Sequence, residues 1–308
     1  MIAYLFPGQG AQTPDFLHRL GGHSAIAETF AEASDVLGID IRTLDQADAL
    51  RSTIAVQLTL TVAGVAAARA LATEGIEPDA VAGLSIGAFG AAVVCGAIAF
   101  ADALRLVKLR AELMENAYPQ GYGMLAVLGL NEREIAGAIE DSHADAYIGN
   151  LNAPRQIVVS GSNDALDKVR NLALERGAHK AERLAVSVPS HCALLEDAAA
   201  RLTQAASAIP FDKPKIAYIG NRGARVLRRA DAIRDDLATN LRHPVRWHDS
   251  TIALSELGVT LFVEMPPGRT LTQLVTEALP DTTSFAIDTS SIDSMATRIR
   301  LARRRSIE

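Results

Sequence analysis

Residues 80–94, AVAGLSIGAFGAAVV, decide how this chain is read. Ala80 to Gly83 is a short apolar run of the kind a parallel sheet buries on both faces, and Gly87 to Val94 reads as a helix of small residues. Ser85 is the lone hydroxyl between them. Gly83-Leu84-Ser85-Ile86-Gly87 matches G-x-S-x-G, a nucleophile elbow, and its strand, turn and helix context is the one that motif requires. Glycine on either side leaves room for a turn tight enough to lift the hydroxyl clear of the backbone. A serine there also faces the N–H groups and positive end of the helix, which favour a developing anion. The same spacing fits a serine N-cap set between small packing residues.

Outward from this turn the rhythm is strand and helix in alternation, which predicts a parallel sheet covered on both faces. IAYLF (2–6) is a strand ended by Pro7 and Gly8, and a long helix runs from an N-cap at Ser52 to a stop near Gly75. From Gly121 the order becomes strand, helix, strand, strand, helix, strand, with Asn131 opening the first helix, Gly177 closing the second, and KAERLAVSV (180–188) as the last strand. That is the ferredoxin-like signature. After Pro189 the first rhythm resumes to a basic terminal helix. The expectation is an α/β fold: a discontinuous, α/β-hydrolase-like large domain (residues 1–120 and 188–308) with a parallel sheet, interrupted by a small ferredoxin-like α+β domain (121–187). A ligand is expected in the cleft between them.

The 308 residues carry a net charge of -6, which disfavours a nucleic-acid partner, and no apolar run reaches the roughly 20 residues of a membrane span. MIAYLFPGQG lacks the marks of a signal peptide, so a cytoplasmic protein is expected. Cys95 and Cys192 are far apart in apolar settings and read as buried thiols, and no Cys or His pair has metal-ligand spacing. Serine chemistry needs a base. Of seven histidines, His191 in SVPSHCALL (187–195) sits in the most constrained junction, after Pro189 and at the mouth of a helix; a buried structural histidine is its alternative. Arg110, within the apolar-periodic LVKLRAELM (106–114), either faces inward to fork a carboxylate or lies exposed on its helix.

Taken together these residues resemble the malonyl-CoA:acyl carrier protein transacylase family along essentially the whole chain. FPGQGAQ (6–12) is similar to that family's N-terminal signature, GLSIG to its serine elbow, LVKLRAELM to its arginine helix and SVPSHCALL to its histidine segment. NLRHPVRW (240–247) and PPGRTLTQL (266–274) look like its late motifs. The resemblance implies that Ser85 accepts the acyl group, His191 is its base and Arg110 grips the malonyl carboxylate. It also implies an oxyanion hole from Gln9 and the Ile86 N–H, and a main-chain carbonyl at Asn240, where the family usually has Gln, that orients the histidine. It implies malonyl-CoA as substrate with no permanently bound cofactor.

Two positions depart from the family's usual Gly-His-Ser-Leu-Gly-Glu: Leu84 before the serine and Ala88 in place of the Glu. With SIGAFGAAV, AYPQGYGM (117–124) and LNAPRQIVVSG (151–161), they look more like the transacylase (epsilon) subunit of malonate decarboxylase. That resemblance implies an acceptor thiol on a phosphoribosyl-dephospho-CoA group of an acyl carrier subunit, within a complex of further decarboxylase subunits. The transacylase of fatty-acid synthesis is the alternative of like chemistry. A serine thioesterase or hydrolase would need an acidic partner for the histidine, and no Asp or Glu stands in evident order between Ser85 and His191. A scaffold that has lost activity is the non-enzymatic alternative. The basic run RGARVLRR (222–229) is a candidate docking face for an acidic carrier.

Overall fold

The computed structural model describes residues 1–118, 120–288 and 290–305. Pro119 of AYPQGYGM and Ser306 to Glu308 of the basic terminus lie outside the described residues. The chain opens with β1 (Ile2–Phe6), α1 (Ser24–Leu37), α2 (Thr53–Thr73), β2 (Ala80–Gly83), α3 (Gly87–Val94) and α4 (Phe100–Ala117). It continues through β3 (Tyr122–Leu128), α5 (Glu132–Ser142), β4 (Ala146–Ala153), β5 (Gln156–Ser162), α6 (Asn163–Glu175) and β6 (Lys180–Arg183). The last part is α7 (Glu196–Ser207), β7 (Ala217–Ile219), β8 (Val226–Leu227), α8 (Ala230–Thr239), α9 (Trp247–Glu256), β9 (Leu261–Glu264), α10 (Thr270–Ala278), β10 (Thr283–Ala286) and α11 (Ile292–Arg305).

The larger sheet has the order β10-β9-β1-β2-β7-β8. Its first five strands are parallel, and β8 turns back antiparallel on β7 as an edge hairpin. β1 and β2 lie at its centre, every residue buried, which is why both read as continuous apolar runs rather than alternating ones. α2 is buried on all sides and shows no polar stripe. Its N-cap, Ser52, accepts the Ile54 N–H at 3.2 Å. It is the one described helix long and apolar enough to cross a bilayer, and 89% of that stretch is buried inside the fold. Against its far end packs α11, through Ile292, Met295, Ala296 and Ile299 at helical spacing, leaving Arg298, Arg300, Arg303 and Arg304 outward.

The smaller sheet is wholly antiparallel in the order β4-β5-β3-β6, the strand arrangement of a ferredoxin-like unit. Asn131 and Glu134 form a reciprocal capping box at the start of α5, and Gly177 follows α6 at φ +94°. KAERLAVSV differs from expectation: the strand stops at Arg183. Leu184 N–H still bonds the Met124 carbonyl at 2.9 Å, after which the chain leaves the sheet and places Leu184 and Val186 against the cavity. The smaller sheet is tied to the segment before α9 where Asn150 of β4 bridges Val245, with Leu151 N–H to Val245 O and Val245 N–H to Gly149 O both at 2.8 Å.

Candidate active site

The turn after β2 is as tight as its glycines allow. A Cβ on Gly83 would lie 2.1 Å from the Gly87 carbonyl carbon, and one on Gly87 would lie 2.1 Å from the Phe6 carbonyl oxygen. Both contacts are with backbone, so neither could be relieved by a side-chain rotation. Between them Ser85 adopts φ +56° in the left-handed region, which lifts its hydroxyl off the end of β2.

His191 reaches the same point from the other side of the sequence. It too is left-handed, at φ +65°, with its N–H fixed to the Leu241 carbonyl at 2.7 Å. Its Nε2 lies 2.7 Å from Ser85 Oγ and its Nδ1 2.7 Å from the Asn240 carbonyl oxygen. A carbonyl can accept and never donate, so Nδ1 carries the proton and Nε2 presents its lone pair to the serine. Burial, together with the Arg110 charge, pushes the His191 pKa down to about 4, and the imidazole is neutral at pH 7. Among the described residues no carboxylate stands behind this histidine; a main-chain carbonyl takes that place.

Arg110, on α4, is completely buried. Its Nη1 donates to Gln57 Oε1 at 2.7 Å, and its Nη2 to Ser85 Oγ at 3.1 Å and Asn240 Oδ1 at 3.3 Å. Its Nε has no partner, and among the described residues no Asp or Glu pairs with it. Desolvation pulls its pKa down to about 9, so it stays charged at neutral pH. A cation held in the interior beside a hydroxyl, with only neutral acceptors around it, can pair with an incoming anion.

Ser85, Arg110 and His191 line a cavity of about 230 Å³ between the two sheets. Gln9, half-buried, lies on its wall in the loop 7–11, which packs onto the elbow so closely that a Cβ on Gly8 would meet Leu84 Cδ2 at 2.5 Å. Ile86 lines it too, at the start of α3, where the N–H groups of Gly87 and Ala88 are engaged by Leu84 and Ser85 carbonyls. The six residues expected from the sequence therefore meet in one place. Leu84 faces the same cavity, whereas Ala88 is fully buried in the core of the larger sheet. That second departure from the resembled pattern has no contact with anything entering the cavity.

Sequence reasoning missed Gln57 and Asn221. Gln57 is the one amide in the apolar run TIAVQLTLTVAG, a signal that was present in the sequence. Asn221 carries no such mark: its side chain meets Ser85 across 136 residues of chain. Cys95 and Cys192 are buried free thiols, pushed up to about 11 by burial. One trio, Asp15, His18 and Asp45, brings possible ligand atoms within 4.8 Å, but Asp45 there accepts the Leu17 N–H at 2.8 Å and faces His18 Nδ1 at 3.1 Å. These contacts account for it as a turn cap.

The acyl transferase domain family matches residues 3–300. The malonyl CoA-acyl carrier protein transacylase of Escherichia coli (strain K12) is 37% identical over 308 residues, covering 97% of this chain and 99% of that protein. The crystal structure of an acyl-carrier-protein S-malonyltransferase from Burkholderia pseudomallei superposes with a TM-score of 0.92 at 34% identity, over 96% of this chain and 99% of the other. A malonyl-transacylase in complex with a type II polyketide synthase acyl carrier protein does so with a TM-score of 0.92 at 36% identity, again over 96% and 99%. With a family model spanning nearly the whole chain and relatives above a third identical along its length, this chain belongs to the acyl transferase family, as a member of the malonyl-CoA:acyl carrier protein transacylase type.

Proposed function

We propose that the chain moves a malonyl group from malonyl-CoA to the thiol of an acyl carrier through an O-malonyl-Ser85 intermediate. The observation that carries this reading is Arg110, fully buried and without a carboxylate partner, 3.1 Å from the nucleophilic oxygen. His191 Nε2 takes the Ser85 proton as Oγ attacks the thioester carbon. The tetrahedral oxyanion is received by the Ile86 N–H and Gln9, and it collapses with expulsion of the CoA thiolate, which takes the proton from His191. In the second half His191 takes the proton of the carrier thiol, whose sulfur attacks the acyl-serine, and Ser85 leaves with the proton returned. The Asn240 carbonyl holds the imidazole in the tautomer both halves need. No bound cofactor is called for. The cleft lies between a large unit (1–120 and 188–308) and a small one (121–187), a division that is part of this proposal.

The relatives' names support an acyl carrier protein as acceptor. A second reading, the phosphoribosyl-dephospho-CoA carrier of malonate decarboxylase, is favoured by Leu84, the apolar residue that the cavity presents where the family usually has His. For either carrier, the basic run after Asn221 is the proposed landing face. Arg222, Arg225 and Arg228 are exposed and unpaired among the described residues, and the run begins beside the elbow. Competition between the two carriers for a limiting supply of malonyl-enzyme tests both points. Preference for the phosphopantetheine carrier supports the first reading and reversal the second. Charge reversal at Arg225 and Arg228 should raise the apparent KM for the chosen carrier severalfold, and an unchanged KM would remove the docking assignment.

A further inference from the structure

Ser85 holds a left-handed backbone that a residue with a side chain adopts at a steric cost, and the flanking glycines only make room for it. What spans the turn is one amide from the edge of the larger sheet. Asn221 Oδ1 accepts the Ser85 N–H at 2.8 Å, and its Nδ2 donates to the Gly83 carbonyl at 2.8 Å. The two groups flank Leu84, so a single planar side chain closes the elbow from both sides. Asn221 is itself fixed: it is 3% exposed, and its own N–H donates to Asp236 Oδ2 at 3.1 Å. Asp236 Oδ1 takes the Arg222 N–H at 3.3 Å, and the Tyr218 hydroxyl donates to Oδ2 at 3.4 Å.

Asp236 lies on α8, one turn before Asn240, whose carbonyl holds His191 and whose Nδ2 donates to the Ser85 carbonyl at 3.4 Å. The end of one helix thus sets the main chain of the serine, through Asn221, and the ring of the histidine. Gly83, Leu84 and Ser85 have no other side-chain hydrogen bond of this kind among the described residues except that from Asn240. We infer that Asn221, held by Asp236, is a positioning residue for the transfer: it fixes the Ser85 backbone so that Oγ stays in line with His191 Nε2. This rests on Ser85 being the nucleophile.

The test compares Asn221→Ala and Asn221→Asp with the native protein, each rate normalised to folded protein by circular dichroism. Phenylmethanesulfonyl fluoride reads the reactivity of Ser85 itself, because it carries no carboxylate and needs neither Arg110 nor a carrier. Asn221→Ala should lose about 30-fold or more both in sulfonylation and in kcat for malonyl transfer, with the KM for malonyl-CoA within about threefold of native. Asn221→Asp keeps an acceptor for the Ser85 N–H and should regain part of that loss. If Asn221→Ala does not fold, the same comparison is made on Asn221→Asp alone. Sulfonylation within threefold of native, or a loss confined to KM, would overturn the inference. A native protein that is sulfonylated at Ser85 but transfers no malonyl would instead remove the proposed function and leave the positioning role intact.

Discussion

In the proposed transfer, Arg110 is where selectivity and reactivity meet: a malonyl donor would bring a carboxylate to fork the guanidinium, while an acetyl donor would leave a desolvated cation paired with neutral groups alone. Replacing it by alanine should lower malonyl transfer about 10- to 100-fold, equivalent to about 1–3 kcal/mol, and narrow the preference over acetyl-CoA. The check is the ratio of kcat/KM for the two thioesters, and an unchanged ratio would remove the role. The same charge, together with burial, holds the pKa of His191 at about 4. His191 must be neutral to take a proton, so lowering its pKa keeps it competent in acid. Ser85 acylation at pH 5.5 should stay within about twofold of its rate at pH 7.5, whereas a histidine at an ordinary pKa near 6.5 would retain about a tenth. Ser85 stood out through its elbow pattern, but the residues alone left open an N-cap at Ser85, a buried structural His191 and an exposed Arg110, and only the resemblance to the family chose between these. Gln57 was marked as the one amide in an apolar helix, although its partner lies 53 residues away, whereas Asn221 carried no mark at all, because its partner lies 136 residues away.

At the scale of elements, the elbow is a packing constraint whatever chemistry Ser85 performs. Gly87 presses on the Phe6 carbonyl, the last of β1, and Leu84 N–H bonds that same oxygen at 3.0 Å. Gly87→Ala should therefore cost more than about 4 kcal/mol in a denaturant titration, with loss of soluble protein as the extreme form. A loss below about 1 kcal/mol would show that the turn has slack. Helices with caps and strands with continuous apolar runs were readable because these signals are local. The early end of β6 and the two-residue β8 were not. The first is decided by the cavity that Leu184 and Val186 have to face, and the second by pairing to β7 across a loop.

At the scale of the molecule, the sheets divide the labour. The larger sheet carries Ser85 at the end of a central strand, and the smaller one closes the cavity over it, tied through Asn150 to Val245 in the segment before α9. This architecture was legible because the change of rhythm at Gly121 and the return after Pro189 are written in element order. The cavity's depth was not, since it depends on how two faces meet. The proposed chemistry requires a covalent stage between donor and carrier. Incubation with radiolabelled malonyl-CoA and no carrier should leave one malonyl group per native chain, none on Ser85→Ala, and all of it released on adding carrier. Label that persists in Ser85→Ala, or a native protein that transfers malonyl without ever becoming labelled, would contradict the account.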